Sequence, residues 1–285
     1  MDFPARPVLL TGASGRLGRV LARELAAQGW PLRLTDIAPF PGAVPAGSVF
    51  TPADLNDGAA ILRLAEGCGT ILHFGAIAAD RSFEAVLGPN IRGVHNVYEA
   101  ARSAGARMVF ASSNHVTGFY ERTQVLDHDC YFRPDSYYGL SKAYGELMGR
   151  LYWDKHGIES VLLRIGPCRA EPDDARCLSA WLSHGDLARV VRCSVLAETT
   201  GRAGCAVIWC ASKNRRMTWW RQDARGIIGW SPEDSADPFT AGLADKTSGD
   251  PVVERYQGGN NCARDYSRAT PAPAAMFDEG DGLPS

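Results

Sequence analysis

The chain has 285 residues, 45% of them hydrophobic and 22% charged, with a net charge of -2 at pH 7. That is the composition of a globular protein with room for one large domain, or one domain and a small lobe. The near-neutral charge argues against a nucleic acid or an anionic membrane as partner.

The first predicted element is a strand, Val8-Leu9-Leu10-Thr11, closed by Gly12. Gly15 and Gly18 follow at three-residue steps, and Leu17, Val20, Leu21, Leu25 and Ala26 recur at helical spacing as far as Gln28-Gly29. Strand, glycine turn and helix in that order suit a dinucleotide. Glycines let the backbone turn tightly and let a pyrophosphate approach, while the helix presents its first N–H groups to the phosphates. A second strand is predicted over residues 31–36. Its Asp36, 18 residues past Gly18, stands where a carboxylate meets the adenosine ribose hydroxyls and repels a 2′-phosphate. NAD is therefore expected over NADP.

A third short strand is predicted to end near Asp54-Leu55, a pair that reads equally as a neighbour of the adenine or as a helix cap. A helix follows over residues 59–67. Residues 70–76 read as a buried fourth strand ending in small residues, which leave room for a cofactor over the sheet edge, with His73 as a core histidine. A long helix is expected over 83–104, disturbed in its first turns by Pro89-Asn90. A fifth strand over 108–113 ends in Ser112-Ser113, and a helix from about Ser136 to His156 leads to a sixth strand over 160–165. This alternation implies an α/β fold, a Rossmann-type doubly wound parallel sheet covered on both faces.

Past Pro167 the rhythm breaks. A helix over 187–196 started by His184-Gly185-Asp186, a strand over 206–209 and a short segment over 224–230 are predicted. From about Thr240 the chain is polar and rich in Gly, Pro and Ala, and poor order is expected at least after Thr270. Three parts follow: an NAD-binding core over 1–167 that carries the chemistry, a small C-terminal substrate-binding region over 168–260 packed on it, and a poorly ordered tail over 261–285. Eight cysteines, at 68, 130, 168, 177, 193, 205, 210 and 262, form no CxxC pair, so reduced thiols are expected, with no disulfide framework and no metal site. No apolar run is long enough to cross a bilayer, and Met1-Asp2-Phe3-Pro4 lacks signal-peptide character. A cytoplasmic setting is expected.

Tyr138 and Lys142 lie at i and i+4, so phenol and ammonium project from one helix face. The ammonium is expected to lower the pKa of Tyr138 towards working pH. That suits Tyr138 to take a hydroxyl proton as hydride leaves the carbon. Ser113, at the end of the fifth strand, is placed to orient the reacting oxygen. A YxxxK pair alone is common by chance. Behind a dinucleotide turn and a strand ending in serines, it marks Ser113, Tyr138 and Lys142 as a catalytic trio.

Thr11-Gly12-x-x-Gly15-x-x-Gly18, Asn90 within Asn90-Ile-Arg-Gly93, Ser113 and Tyr138-x-x-x-Lys142 resemble the extended short-chain dehydrogenase/reductase superfamily. A closer resemblance, over about residues 7–260, is to the uronate dehydrogenases. It rests on Phe110-Ala-Ser-Ser-Asn-His115, Gly118-Phe-Tyr120, Tyr138-Gly-Leu-Ser-Lys142 and Gly145-Glu146. It continues in Leu163-Arg-Ile-Gly166, Glu171-Pro172, Arg176, Trp181, Ser183-His184, Gly229-Trp230-x-Pro232 and Arg255-Tyr256-Gln257-Gly258-Gly259.

The resemblance implies hydride transfer from the anomeric carbon of a hexuronic acid, such as galacturonate or glucuronate, to NAD, giving an aldarolactone. Tyr138 would take the C1 hydroxyl proton, Lys142 would tune Tyr138 and hold the nicotinamide ribose, and Ser113 would bond the reacting oxygen. Asn114 and His115 would touch sugar hydroxyls, and Arg176 would grip the carboxylate with its planar guanidinium. Motif and resemblance together give the cofactor site as Gly12, Ser14, Gly15, Arg16, Leu17, Gly18, Asp36, Ile37, Asp54, Leu55, Phe74, Gly75, Ala76, Asn90, Tyr138 and Lys142. A homo-oligomer is expected by the same resemblance.

Two substrate-site positions depart from the family pattern. Ala78 and Pro167 stand where a serine is usual, and each lost hydroxyl would weaken sugar binding by about 1–3 kcal/mol. Cys210 replaces a usual glycine with no evident role. Trp209, Trp219, Trp220 and Trp230 are expected to pack the core or an interface rather than to form a sugar platform. An extended-type dehydrogenase or epimerase acting on another sugar, and a non-catalytic NAD-binding sensor, remain as alternatives. The short region past Pro167 weighs against a nucleotide-sugar epimerase, and the intact trio weighs against a sensor.

Overall fold

The structure, a computed structural model, describes residues 3–201 and 204–272. Its sheet has seven strands: β1 (Val8–Thr11), β2 (Leu32–Thr35), β3 (Val49–Phe50), β4 (Thr70–His73), β5 (Arg107–Ser113), β6 (Ser160–Ile165) and β7 (Cys205–Cys210). They lie in the order β3-β2-β1-β4-β5-β6-β7, and every pair is parallel. The order reverses between β1 and β4, the place where open α/β sheets leave a crevice for ligands.

Strands this apolar are buried on both sides, because successive side chains point to opposite faces. Leu10, Leu34, Val109, Leu163 and Ile208 share one core on one face with Leu21 and Leu25 of α1 (Arg16–Ala27) and with Leu187, Val190 and Val191. Leu9, Ile71, Met108, Phe110 and Leu162 form the other core, with Ile61 of α2 (Gly58–Ala65) and residues of the next helices. The long helix expected over 83–104 is broken into α3 (Phe83–Val86), a π-helical turn (Leu87–Arg92) and α4 (Gly93–Ala104). Pro89 sits in the π turn, where its missing N–H removes a helical hydrogen bond. Next comes α5 (Tyr137–His156), capped at its start by Ser136 and closed by Gly157 in the left-handed region.

After β6 come α6 (Cys177–Ala180), α7 (His184–Leu196), α8 (Thr240–Leu243), α9 (Pro251–Arg255) and α10 (Asn260–Ala263). Helix α7 starts at His184, as His184-Gly185-Asp186 suggests, and Ser183 caps it by accepting from Asp186 N at 2.8 Å. Trp209 stacks on Trp220 at 4.7 Å inside a buried cluster, and Trp230 is buried too, so these indoles pack the core as expected.

Two expectations need correction. Strand β3 ends at Phe50, well short of Asp54-Leu55, because it is a two-residue edge strand paired only with β2. Asp54 does not cap α2 either: Asp57 does, accepting from Ala60 N at 3.0 Å. The expected tail also begins too early at 261, since α10 is folded and buries Cys262. Polar composition there hides a few anchors that find partners only in three dimensions. The rest of that tail, residues 273–285, lies outside the described residues. Among the described residues no helix is long and apolar enough to cross a membrane.

Candidate active site

The turn after β1 is built to admit a ligand closely. Gly12 has φ +73, and a Cβ there would come within 2.5 Å of the backbone of Phe74 and Gly75. A Cβ at Gly18 would run into the carbonyl of Gly12, so α1 can lie against the turn only as glycine. Helix α1 starts after Gly15 with no side-chain cap and no acid in its first turn. Its leading N–H groups and the positive end of its dipole are left to an anion. Gly12, Gly15, Arg16, Leu17 and Gly18 line a cavity of about 340 Å³, which shares Gly12, Gly15, Phe74 and Ala76 with an adjoining one of about 300 Å³. The second is walled by Asp36, Ile37, Asp54, Leu55 and Gly75. Asp36 is held rigid by Ser14 N at 3.0 Å and Ala38 N at 3.1 Å. An elongated groove with an uncapped helix start in the middle and a carboxylate at one end fits a dinucleotide.

Two of the expected cofactor residues do other work. The N–H of Ser14 is used by Asp36 and its hydroxyl donates to Ala38 O at 2.9 Å, so Ser14 supports Asp36 rather than lining the groove. Asn90 is buried with every amide hydrogen engaged. It accepts from Ile77 N at 2.8 Å and donates to Ile77 O at 3.1 Å and Ser141 Oγ at 3.0 Å. Ser141 Oγ in turn donates to Tyr138 O at 2.7 Å. Asn90 thus ties the loop after β4 to the helix that carries Tyr138 and Lys142.

The larger cavity brings together Ala78, Ser113, Asn114, His115, Tyr138, Lys142, Pro167 and Arg176 from five separate stretches of chain. Ser112 and Ser113 at the end of β5 both line the cavity, but the Ser112 hydroxyl is spent on Glu146 Oε1, to which it donates at 2.5 Å. Glu146, one turn beyond Lys142, takes two further bonds from Arg164, at 3.0 Å from Nε and 2.8 Å from Nη2. This buried network locks α5 to β5 and β6 under the site.

Lys142 is buried, its Nζ 4.9 Å from the Phe110 ring centre and 5.6 Å from that of Tyr138. Burial pulls Lys142 down to about 7. Burial also pushes Tyr138 up to about 12, with a hydrogen bond to Ser113 working the other way. The expected lowering of Tyr138 by Lys142 is therefore not what this geometry gives. In a poorly solvated site both charged forms are penalised, and that outweighs a cation at this separation.

Arg176 donates from Nε to Gln257 O at 2.8 Å. With the Asn114 amide turned to satisfy its neighbours, its oxygen accepts from Arg176 Nη2 at 2.7 Å and its nitrogen donates to Ile165 O at 3.1 Å. Asn114 thus steadies Arg176 in the cavity, whose wall it also forms. The side chains of Ala78 and Pro167 offer the cavity only carbon. His115 places Nδ1 2.6 Å from Oδ2 of Asp135, a residue the sequence reading passes over. His73 is fully buried and bonds Thr11 Oγ1 at 2.7 Å through Nδ1, while Nε2 has no partner among the described residues. Burial pulls its pKa down to about 3, as suits a neutral core histidine.

The family described as NAD dependent epimerase/dehydratase matches residues 8–201. A uronate dehydrogenase of Pseudomonas putida is 43% identical over 261 residues, 90% of this chain and 95% of that one. A mutant of the uronate dehydrogenase of Agrobacterium tumefaciens, solved in complex with NAD, is similar with a TM-score of 0.84 at 40% identity, covering 92% of this chain and 97% of that one. The glucuronic acid dehydrogenase of Chromohalobacter salexigens gives 0.84 at 38% identity, over 90% and 96% of the two chains.

Proposed function

The chain belongs to the uronate dehydrogenases of the NAD-dependent epimerase/dehydratase family, and from that membership we propose how its own residues oxidise a hexuronic acid. When bound, NAD supplies the hydride acceptor. Gly12, Gly15, Gly18 and the start of α1 hold its pyrophosphate, and Asp36 takes the adenosine ribose hydroxyls. Ile37, Asp54 and Leu55 flank the adenine. Arg176, steadied by Asn114 and Gln257, grips the sugar carboxylate and fixes which carbon faces the trio. Ser113 and Tyr138 hold the C1 hydroxyl between them. Tyr138 takes its proton as hydride leaves C1, which yields the aldarolactone. Tyr138 must act as its phenolate and becomes the neutral phenol on taking the proton; the Lys142 ammonium stabilises that phenolate beforehand, and Lys142 would hold the nicotinamide ribose.

The observation that carries this reading is that one cavity joins Ser113, Tyr138 and Lys142 to an arginine already steadied by two neighbours. Purified protein with NAD is expected to form NADH with galacturonate or glucuronate and not with the neutral parent sugars or a nucleotide-sugar. The same assay on Tyr138→Phe should lose about 10²–10⁴-fold in rate. Equal rates on neutral sugars would remove Arg176 from its role, and an active Tyr138→Phe would remove Tyr138.

We further propose that the protein self-associates through α5, whose outer face exposes Tyr137, Leu140, Leu147 and Leu151. A reducing, cytoplasmic setting suits its eight unbridged cysteines.

A further inference from the structure

Beside the trio lies a pair that the reaction above does not employ. His115 lines the cavity and stands edge-on to the Tyr138 ring, with centroids 5.8 Å apart. Behind it, Nδ1 meets the wholly buried side chain of Asp135 at 2.6 Å. The other carboxylate oxygen accepts from Ser136 Oγ at 2.8 Å, and Ser136 caps α5 through Gly139 N at 3.1 Å. Three glycines make room for this carboxylate. A Cβ at Gly118 or Gly258 would collide with Oδ2, and one at Gly139 would stand 3.2 Å from Oδ1. They come from the loop after β5, from α5 and from the C-terminal segment, so three parts of the chain keep this space open.

An ionised carboxylate can only accept, so the proton of this bond sits on Nδ1. The Asn261 amide nitrogen, 3.3 Å from Nδ1, is a longer and uncharged contact that a carboxylate at 2.6 Å outcompetes. With Nδ1 protonated, the neutral ring leaves Nε2 as a bare acceptor, and Nε2 takes no hydrogen bond among the described residues. We propose that Asp135 is a positioning residue that fixes His115 as its Nδ1–H tautomer, so that Nε2 accepts a hydrogen bond from a hydroxyl of the sugar. The proposal rests on the reading of this cavity as a uronate site. It makes His115 a selective reader: an O–H at that point of the sugar is bound, and an ether oxygen or a fluorine is not.

Long-range ¹⁵N–¹H correlation spectra of histidine-labelled protein test the tautomer without any substrate, with His115→Gln assigning the signal. Wild type is expected to show His115 with Nδ1 protonated and Nε2 bare, and Asp135→Asn to mix or reverse that pattern. In initial-rate kinetics, Asp135→Asn should raise the uronate KM about tenfold, with a smaller effect on kcat and none on the KM for NAD. A wild-type His115 protonated on Nε2 overturns the proposal, and so does an Asp135→Asn variant with unchanged tautomer and uronate KM. Should Asp135→Asn fail to fold, the wild-type spectrum still decides. An Nδ1–H tautomer in a protein that turns over neutral sugars but no uronate would sink the uronate reading and leave the Asp135–His115 assignment standing.

Discussion

Lys142 and Tyr138 stand one helical turn apart, and burial drives them in opposite directions, to about 7 and about 12. The consequence can be measured as stability. The folded value of Lys142 lies below its unfolded value of 10.5, so above about pH 7 the native protein binds fewer protons than the unfolded chain. Stability therefore rises with pH from about 7, and the penalty is complete below it. Above about pH 9 the buried thiols and Tyr138 act in the opposite sense, because their folded values are raised. The melting temperature should climb between about pH 7 and 9, and Lys142→Met should flatten that climb while melting higher than wild type at the acid end. A parallel climb in both proteins would show that Lys142 is not titrating in this window. At the same scale, sequence and structure part company in an instructive way. Tyr138 and Lys142 are legible in the sequence because they lie within one helical turn, and Asp36 because it stands 18 residues past Gly18, the reach of one helix and one strand. Asn90, Asn114 and Asp135 are not. Asn90 finds Ser141 51 positions away, and the Asp135 carboxylate finds His115 20 positions away. An asparagine's composition says nothing of whether its amide faces a ligand or a neighbouring carbonyl.

Elements divide along the same line. The glycine turn with α1, and α5 with its Ser136 cap, carry their own signals of period and capping. Strand β3 and helices α9 and α10 carry almost none, since two to five residues contain no period to read. Tertiary anchors make the C-terminal segment a strap across the site. Gln257 is buried, accepts from Trp220 Nε1 at 2.9 Å, and donates to Glu121 O and Gln124 O at 3.0 Å each. Its own carbonyl holds Arg176. Two residues on, Gly259 has φ +63, and a Cβ there would press on Arg176 Cδ at 2.9 Å. Gly259→Ala should therefore displace the carboxylate grip and leave the cofactor groove alone. The expected result is a uronate KM raised about tenfold with the KM for NAD unchanged. Equal effects on both substrates, or on neither, would mean that the strap does not set the position of Arg176. The Ser112–Glu146–Arg164 network does the corresponding job beneath α5, where loss of either buried charge costs about 3–5 kcal/mol.

Across the whole molecule, the groove that fits a dinucleotide lies where the strand order reverses, and the residues proposed for the substrate come from loops and the strap that gather over the same sheet edge. That arrangement occupies the C-terminal edge of the sheet and, among the described residues, leaves the outer face of α5 exposed. Tyr137, Leu140, Leu147 and Leu151 recur there at intervals of three, seven and four residues, with Tyr144 completing the seam between Leu140 and Leu147, and each of the four is 44–57% exposed. Alternating steps of three and four are the spacing by which one helix packs along another. Phe83 widens the patch by meeting Tyr137 edge-on at 5.8 Å. A single exposed leucine means little, but a continuous apolar stripe on a 20-residue helix calls for a partner, and a second copy presenting the same stripe provides it. Because Leu147 touches solvent rather than core, Leu147→Lys should leave the fold and NAD binding intact. Sedimentation should find wild type as a dimer or larger assembly of 30.7 kDa chains and Leu147→Lys as the single chain. A monomeric wild type, or a variant that assembles undiminished, would remove α5 as the interface. Assembly through α5 would also press on the helix that carries Tyr138 and Lys142, so loss of the interface should lower kcat more than it raises the KM for either substrate.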